Sequence, residues 1–268
     1  MKSFKLIALA SAGALGFVAA PAGASTCVGN CGTSGADGDI DLSPTGNSTY
    51  NWISTSGGAG QSDVGEIAGV GDGDDGFNTG SEFISNSFTA AAGDELTFFF
   101  NYVTSDGSGF ADYGWASLVD GTGSVAAWLF TGRTRPEGDI APGFGLPALD
   151  ATLTPATSAI IGGAPNWSPL GASSGTCFAA GCGYTGWIES SYTIATAGTY
   201  TVQYGVTNFN DSSYQSGLAF DGLALNDVEI GGAVPEPSTW ALLLLGFFGI
   251  GGMMRRRGEV RSTKITFA

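Results

Sequence analysis

Leu96–Ser105 reads LTFFFNYVTS, and its alternation decides the fold class. In an extended chain successive side chains point to opposite sides. Leu96, Phe98, Phe100 and Tyr102 therefore share one face, with Phe99 and Val103 on the other. Thr199–Phe209, TYTVQYGVTNF, repeats the pattern, with Tyr200, Val202, Tyr204 and Val206 on one side and polar residues opposite. Tyr113–Phe130, YGWASLVDGTGSVAAWLF, holds two such runs on either side of the turn DGTG at 120–123, the signature of a hairpin. No segment sustains a helical apolar period, so the central body of the chain is predicted to be all-β and antiparallel, with one sheet face wet.

An internal echo extends this reading. Ser87–Thr104 (SFTAAAGDELTFFFNYVT) and Ser191–Asn208 (SYTIATAGTYTVQYGVTN) share Ser, aromatic, Thr, an Ala-Gly turn and an alternating strand, at an offset of 104 residues. Each is read as a hairpin of strand, glycine turn and strand. Two of them in a chain of this size predict two packed sheets, an antiparallel β-sandwich of jelly-roll type. The sandwich domain is placed at 47–232. Residues 25–46, at the start of a stretch dominated by Gly, Ser and Asp, are expected as a loose leader, because few apolar side chains are present to offset ordering entropy.

The two ends differ in kind from the body. Lys2 and Lys5 precede an apolar run from Leu6 to Ala20, and Ala22 and Ala24 supply the small residues of an A-x-A cleavage site. Residues 1–24 are thus expected to be a signal peptide, a helix removed by signal peptidase after passage through the Sec machinery. Thr239–Met254 is apolar all round and is followed by Arg255, Arg256 and Arg257. As a helix it would span roughly 24 Å, a marginal single transmembrane crossing with the arginines on the cytoplasmic side.

The net charge of −15 includes +2 from residues 1–24 and +3 from residues 235–268, which leaves −20 on the middle of the chain. The only cations there are Arg133 and Arg135. A body this acidic is repelled by nucleic acid, which is not expected as a partner.

Val234–Arg257, VPEPSTWALLLLGFFGIGGMMRRR, resembles the PEP-CTERM sorting signal of exported proteins of Gram-negative bacteria, in its PEPxxWA variant. Pro235, Glu236 and Pro237 form the tripeptide. Trp240 and Ala241 supply the WA pair, glycines punctuate the span, and Arg255, Arg256 and Arg257 close it. The resemblance covers residues 233–257 and implies an address: recognition by exosortase, a transient stay in the inner membrane, then release to the cell surface or extracellular matrix. The sequence departs from the family pattern in continuing past the arginines as GEVRSTKITFA, read here as a cytoplasmic tail, 258–268.

Four cysteines lie in the exported part, as Cys27 with Cys31 and Cys177 with Cys182. In an oxidising compartment an even count reads as two disulfides, and local pairing is the simplest of three connectivities. The chain has no histidine, which removes Ser-His-Asp and Cys-His chemistry and the usual zinc hydrolase sites. Carboxylate chemistry remains, and it needs two acids facing each other across a cleft. Glu66, Glu82, Glu95, Glu137 and Glu189 are present, but no spacing marks a pair.

Acidic loops point instead to Ca²⁺, which takes oxygen ligands on flexible segments. Asp72, Asp74, Asp75 and Asn78 in GDGDDGFN are the first candidate site, and Asp106 with Asp112 the second. Sugar rings stack on exposed aromatic faces. Trp167, in the loop APNWSPLG, and Trp187, just after the second cysteine pair, are the candidate platforms, whereas Trp115 and Trp128 fall in strands and are assigned to the core. The expectation is a non-enzymatic exported protein that acts by adhesion or polysaccharide association. The alternative is a carboxylate-dependent glycoside hydrolase or lyase.

Overall fold

The computed structural model describes residues 25–60, 63–64, 67 and 77–230. The signal, sorting and tail segments lie outside the described residues, as do Asp72, Asp74, Asp75 and the side chain of Asn78. In chain order the strands are β1 (Thr26–Val28), β2 (Asn30–Ser34), β3 (Tyr50–Ser54), β4 (Ala59–Gly60), β5 (Phe77–Ile84), β6 (Phe88–Ala90), β7 (Glu95–Thr104), β8 (Tyr113–Asp120) and β9 (Val125–Arg133). They continue as β10 (Asp139–Ala141), β11 (Thr152–Thr154), β12 (Ser158–Ala159), β13 (Ile161–Gly162), β14 (Gly183–Tyr184), β15 (Ile188–Thr193), β16 (Gly198–Phe209), β17 (Ser216–Leu225) and β18 (Val228–Glu229). A short 3₁₀ turn, Ser168–Ser173, is the helical element among the described residues. None of the described helices is long and apolar enough to cross a membrane.

Two antiparallel sheets share one apolar core. The first runs β1-β5-β16-β8-β9, and the second β11-β15-β7-β17-β3-β2. The expected faces hold: Leu96, Phe98, Phe100 and Tyr102 are buried along β7, and Tyr200, Val202, Tyr204 and Val206 along β16. Each large apolar side chain so buried contributes about 1.5–3 kcal/mol. The rings meet between the sheets. Tyr204 stacks on Phe220 at 4.0 Å and 12°, Phe98 meets Tyr204 edge-on at 5.3 Å, and Phe100 packs on Phe130 at 3.7 Å. The predicted hairpin about residues 120–123 forms as β8 and β9.

The two echo segments correct the sequence reading. They are not hairpins: β6 pairs with β16, and β15 pairs with β7. Each Ala-Gly turn carries the chain from one sheet to the other, and the first strand of each echo pairs with the long strand of its counterpart. The register is conserved across the exchange. Thr89 faces Thr199 as Thr193 faces Glu95, and Tyr204 faces Ala116 as Phe100 faces Phe220. The body is therefore built around a pseudo-twofold exchange of β6-β7-β8 with β15-β16-β17.

Residues 25–46, expected as a leader, are part of this body. β1 pairs with β5 in one sheet and β2 with β3 in the other. The Cys27–Cys31 disulfide therefore joins edge strands of opposite sheets. The tight reversal between them needs Gly29, whose φ is +83° and where a Cβ would meet Ser81 Oγ at 2.4 Å. Farther along, Asp221 accepts hydrogen bonds from Ser43, from Thr45 (2.7 Å) and from Asn47 (3.1 Å to Oδ1), which fastens residues 43–47 to β17. Side-chain bonds and a disulfide do there what apolar burial does elsewhere.

Candidate functional site

Three aromatic rings from three separate loops meet at the end of the sheets where β7, β16 and β9 finish. The Cys177–Cys182 disulfide closes a short loop that holds Phe178 out of the core, 46% exposed. Phe110 packs edge-on against Phe178 at 5.3 Å and 81°. Tyr214 lies 5.1 Å from Phe178 and is 37% exposed. The loops are tied by their backbones: Ser108 N–H donates to Ala180 C=O at 2.9 Å, and Phe178 N–H to Ser105 C=O at 3.0 Å. Gly107 lies so close to Ala179 that a Cβ would sit 2.5 Å from its side chain. Beside Tyr214 a shallow cleft is lined by Ser173, Thr176, Ser213 and Gln215, all small or uncharged polar side chains.

A buried polar layer supports these loops. Thr207 of β16 faces Tyr113 of β8, so Asn208 and Asp112 are the residues that follow and precede this pair in the chain. Thr104 of β7 faces Ser216 of β17. Ser216 Oγ–H donates to Asp112 Oδ2 at 2.6 Å, and Phe209 N–H donates to Asp112 Oδ1 at 2.8 Å. Ser216 Oγ also lies 2.7 Å from Thr104 Oγ1, which accepts from Asp106 N–H at 3.0 Å. Tyr102 O–H reaches the Asp112 carbonyl at 2.9 Å.

Both acids of this layer are buried, Asp106 at 1% exposure and Asp112 at 0%. Burial, reinforced by the Asp211 charge, pushes the Asp106 carboxyl up to about 7, although an N–H from Gly107 acts against it. Burial and the neighbouring Asp106 charge hold Asp112 well above the ordinary carboxylate range.

The two cations of the body gather at the same end. The Arg133 guanidinium lies over Phe209 at 4.8 Å and over Phe144 at 5.4 Å, and Arg135 lies over Phe144 at 5.5 Å. Arg133 Nε–H donates to the Ala111 carbonyl at 3.1 Å, next to Asp112 in the chain but not to its carboxylate. Burial lowers the Arg133 pKa.

The residues singled out in the sequence are distributed differently. All four cysteines pair locally, Cys27 with Cys31 and Cys177 with Cys182. Trp167, expected as an exposed platform, is 0% exposed, and its indole N–H donates to Tyr50 O–H at 2.9 Å. Trp187 is half-buried, donates to the Asp41 carbonyl at 2.9 Å and meets Tyr50 edge-on at 5.5 Å. Both indoles pack residues 37–41 and the neighbouring turn onto the second sheet, which the sequence alone did not show, because those residues were read as leader. Trp115 is buried, as expected, but on the outer face of its sheet beside Tyr113, Ile67 and the partly buried Trp128.

The glutamates do not converge into a site among the described residues. Glu95 is exposed and accepts from Ser191 Oγ–H at 2.7 Å, Glu137 is exposed, Glu82 is buried on β5, and Glu189 is on β15. Glu66 lies outside the described residues. One cavity is lined by two acids, Asp221 and Glu229, with Tyr204 and Phe220. The Asp221 oxygens there are occupied by the donors from residues 43–47. Phe110, Phe178 and Tyr214 were missed by the sequence reading. The available signal was Phe178 itself, a large apolar ring inside a four-residue loop, CFAAG before the second cysteine, with no strand to bury it.

Compared with curated proteins and with solved structures, the chain matches none. Residues 233–257 match the model of the PEP-CTERM protein-sorting motif, at the C-terminal end of the sequence. That motif marks this chain as an exported protein, sorted by exosortase and anchored in the membrane only until it is cleaved.

Proposed function

We propose that the exported body is a non-enzymatic β-sandwich module of jelly-roll type that holds neutral polysaccharide at the cell surface or in the extracellular matrix. The observation that carries this reading is the contact of Phe178 with both Phe110 and Tyr214 on three tied loops, with Phe178 and Tyr214 substantially exposed. Exposed apolar rings cost solvation unless something covers them, and a pyranose presents C–H faces that stack on such rings. The hydroxyls and amide lining the adjoining cleft supply donors and acceptors for sugar hydroxyls. The net charge of −20 on the middle of the chain favours neutral over acidic polymers.

The test is retardation of the exported protein in native gels cast with neutral polysaccharides, with acidic polysaccharides as comparison. Retardation by a neutral polymer that Phe178→Ala with Tyr214→Ala abolishes, at unchanged melting temperature, is the expected result. Retardation unaffected by the double substitution overturns the site. Release of reducing ends from any of the polymers overturns the non-enzymatic reading and turns attention to the carboxylates.

A further inference from the structure

We propose that the polar layer under the aromatic loops is a calcium site, built by Asp106, Asp112 and the amide oxygen of Asn208. This goes beyond the polysaccharide reading and stands whether or not a glycan binds.

Two buried acceptors of this layer are unmatched. Asp106 Oδ1 receives the Gly107 N–H at 2.6 Å, but Asp106 Oδ2 is buried and has no donor. Asn208 is 0% exposed; its Nδ2 group donates to Thr79 Oγ1 at 2.8 Å and approaches Gln215 Oε1 at 3.3 Å, while its Oδ1 is buried without a partner. The Gln215 contact fixes the amide orientation, because Gln215 Oε1 can only accept and the Gln215 amide is itself set by its Nε2 donating to the Ser212 carbonyl. Asp112, whose Oδ1 accepts the N–H of Phe209 next to Asn208, takes one donor on each carboxylate oxygen and keeps a free lone pair on each. A buried acceptor left without a donor costs about 1–3 kcal/mol, and more for a charged one.

The charge balance points the same way. Neither Asp106 nor Asp112 makes an ion pair among the described residues. Arg133 donates its Nε–H to the Ala111 carbonyl and lays its guanidinium face over aromatic rings. No three Asp, Glu or Cys side chains close into a metal cluster among the described residues. The present set differs in kind: two carboxylates completed by a neutral amide oxygen, a mixture that a hard cation accepts and Ca²⁺ in particular tolerates in irregular geometry. A cation there would give the orphan oxygens of Asp106 and Asn208 a common partner.

The site is tested on the exported protein as its host releases it, stripped with EDTA and titrated with Ca²⁺ in a calorimeter. Tb³⁺ luminescence, excited through nearby tyrosine, is the second readout, since Tyr102 hydrogen-bonds to Asp112. One Ca²⁺ per chain is expected. Asp106→Asn weakens it at least about tenfold, through the loss of one ligand charge. Asn208→Asp adds a ligand charge and tightens binding, a change of opposite sign that does not depend on Asp106→Asn folding well. Asp74→Asn with Asp75→Asn, in the other acidic loop, leaves it unchanged. Absence of Ca²⁺ uptake by the wild type overturns the site, as does uptake that survives Asp106→Asn and disappears in the Asp74/Asp75 variant.

Discussion

The amide of Ile194 donates to the carbonyl of Asp94 at 2.8 Å, while the amide of Gly93 donates to the carbonyl of Ile194 at the same distance. The two Ala-Gly turns are thereby locked to each other, at the point where each passes the chain from one sheet to the other. Around this contact the strands exchange: β6 leaves its own sequence neighbour for β16, and β15 does the same for β7. The arrangement makes the two echo segments interdependent, since neither long strand keeps its edge partner without the other segment.

Phe100→Ala is expected to cost about 3–5 kcal/mol, the usual penalty for emptying a buried phenylalanine position. Phe100 is 0% exposed and packs on Phe130, whereas its neighbour Phe99 is only partly buried on the opposite face. Phe99→Ala should therefore cost much less. Urea midpoints of the two variants decide whether the alternation first read in residues 96–105 describes the energetics; equal losses would contradict it.

How far the sequence carried the fold can be judged from these same strands. Period-two alternation depends only on which face is buried, so β7, β8, β9 and β16 and their inner faces were legible. Pairing partners were not, because a glycine turn of the same composition serves a hairpin and a crossing between sheets equally well, and the choice is made by tertiary contacts such as Tyr204 on Phe220. Residues 25–46 were misread for a related reason. Their order comes from the Cys27–Cys31 link, the hydrogen bonds to Asp221 and the cover supplied by Trp167, none of which leaves an apolar pattern. The aromatic loops suffered likewise, since Phe110, Phe178 and Tyr214 are far apart in sequence.

Gly205→Ala should displace the Trp115 ring. Trp115 faces Gly205 across the β8–β16 ladder, and a Cβ at Gly205 would lie 2.1 Å from the indole. Here glycine is needed for the room it leaves, since the aromatic ring fills the gap. A shift in tryptophan fluorescence with a loss of about 1–3 kcal/mol, the range for overpacking, is expected. An unchanged spectrum and stability would show that the ring moves aside freely.

Above pH 10 the body should lose stability. Burial pushes Tyr50 up to about 12, and burial also raises Tyr102 and Tyr204. In the unfolded chain these phenols ionise near 10, so between pH 10 and 12 the unfolded state releases protons that folded Tyr50 retains. The unfolded state binds fewer protons in that window, and stability falls as pH rises through it, while remaining fully present below 10. Urea midpoints at pH 9, 10 and 11 should decline, less steeply in Tyr50→Phe. That variant also starts lower, because the Trp167 indole loses its acceptor. A slope equal to that of the wild type would show that Tyr50 is not kept neutral by the fold.

Replacing Pro235 and Glu236 with alanine should separate anchoring from release. Both residues lie within the matched sorting motif, at 233–257, and precede the apolar stretch that begins near Thr239. The substitutions leave that stretch and Arg255–Arg257 intact, so the means of holding the chain in the membrane persists while the element read by exosortase is lost. The expected outcome is accumulation of an uncleaved form in the membrane fraction, with the exported body folded. A tag placed near Ser25 reports fractionation, and migration on a denaturing gel reports cleavage. Deleting residues 239–257 instead should send the body out unanchored, because the apolar stretch and the arginines that close it are removed together. Wild-type levels of cleaved, released protein from the Pro235→Ala, Glu236→Ala variant would show that recognition does not depend on the tripeptide.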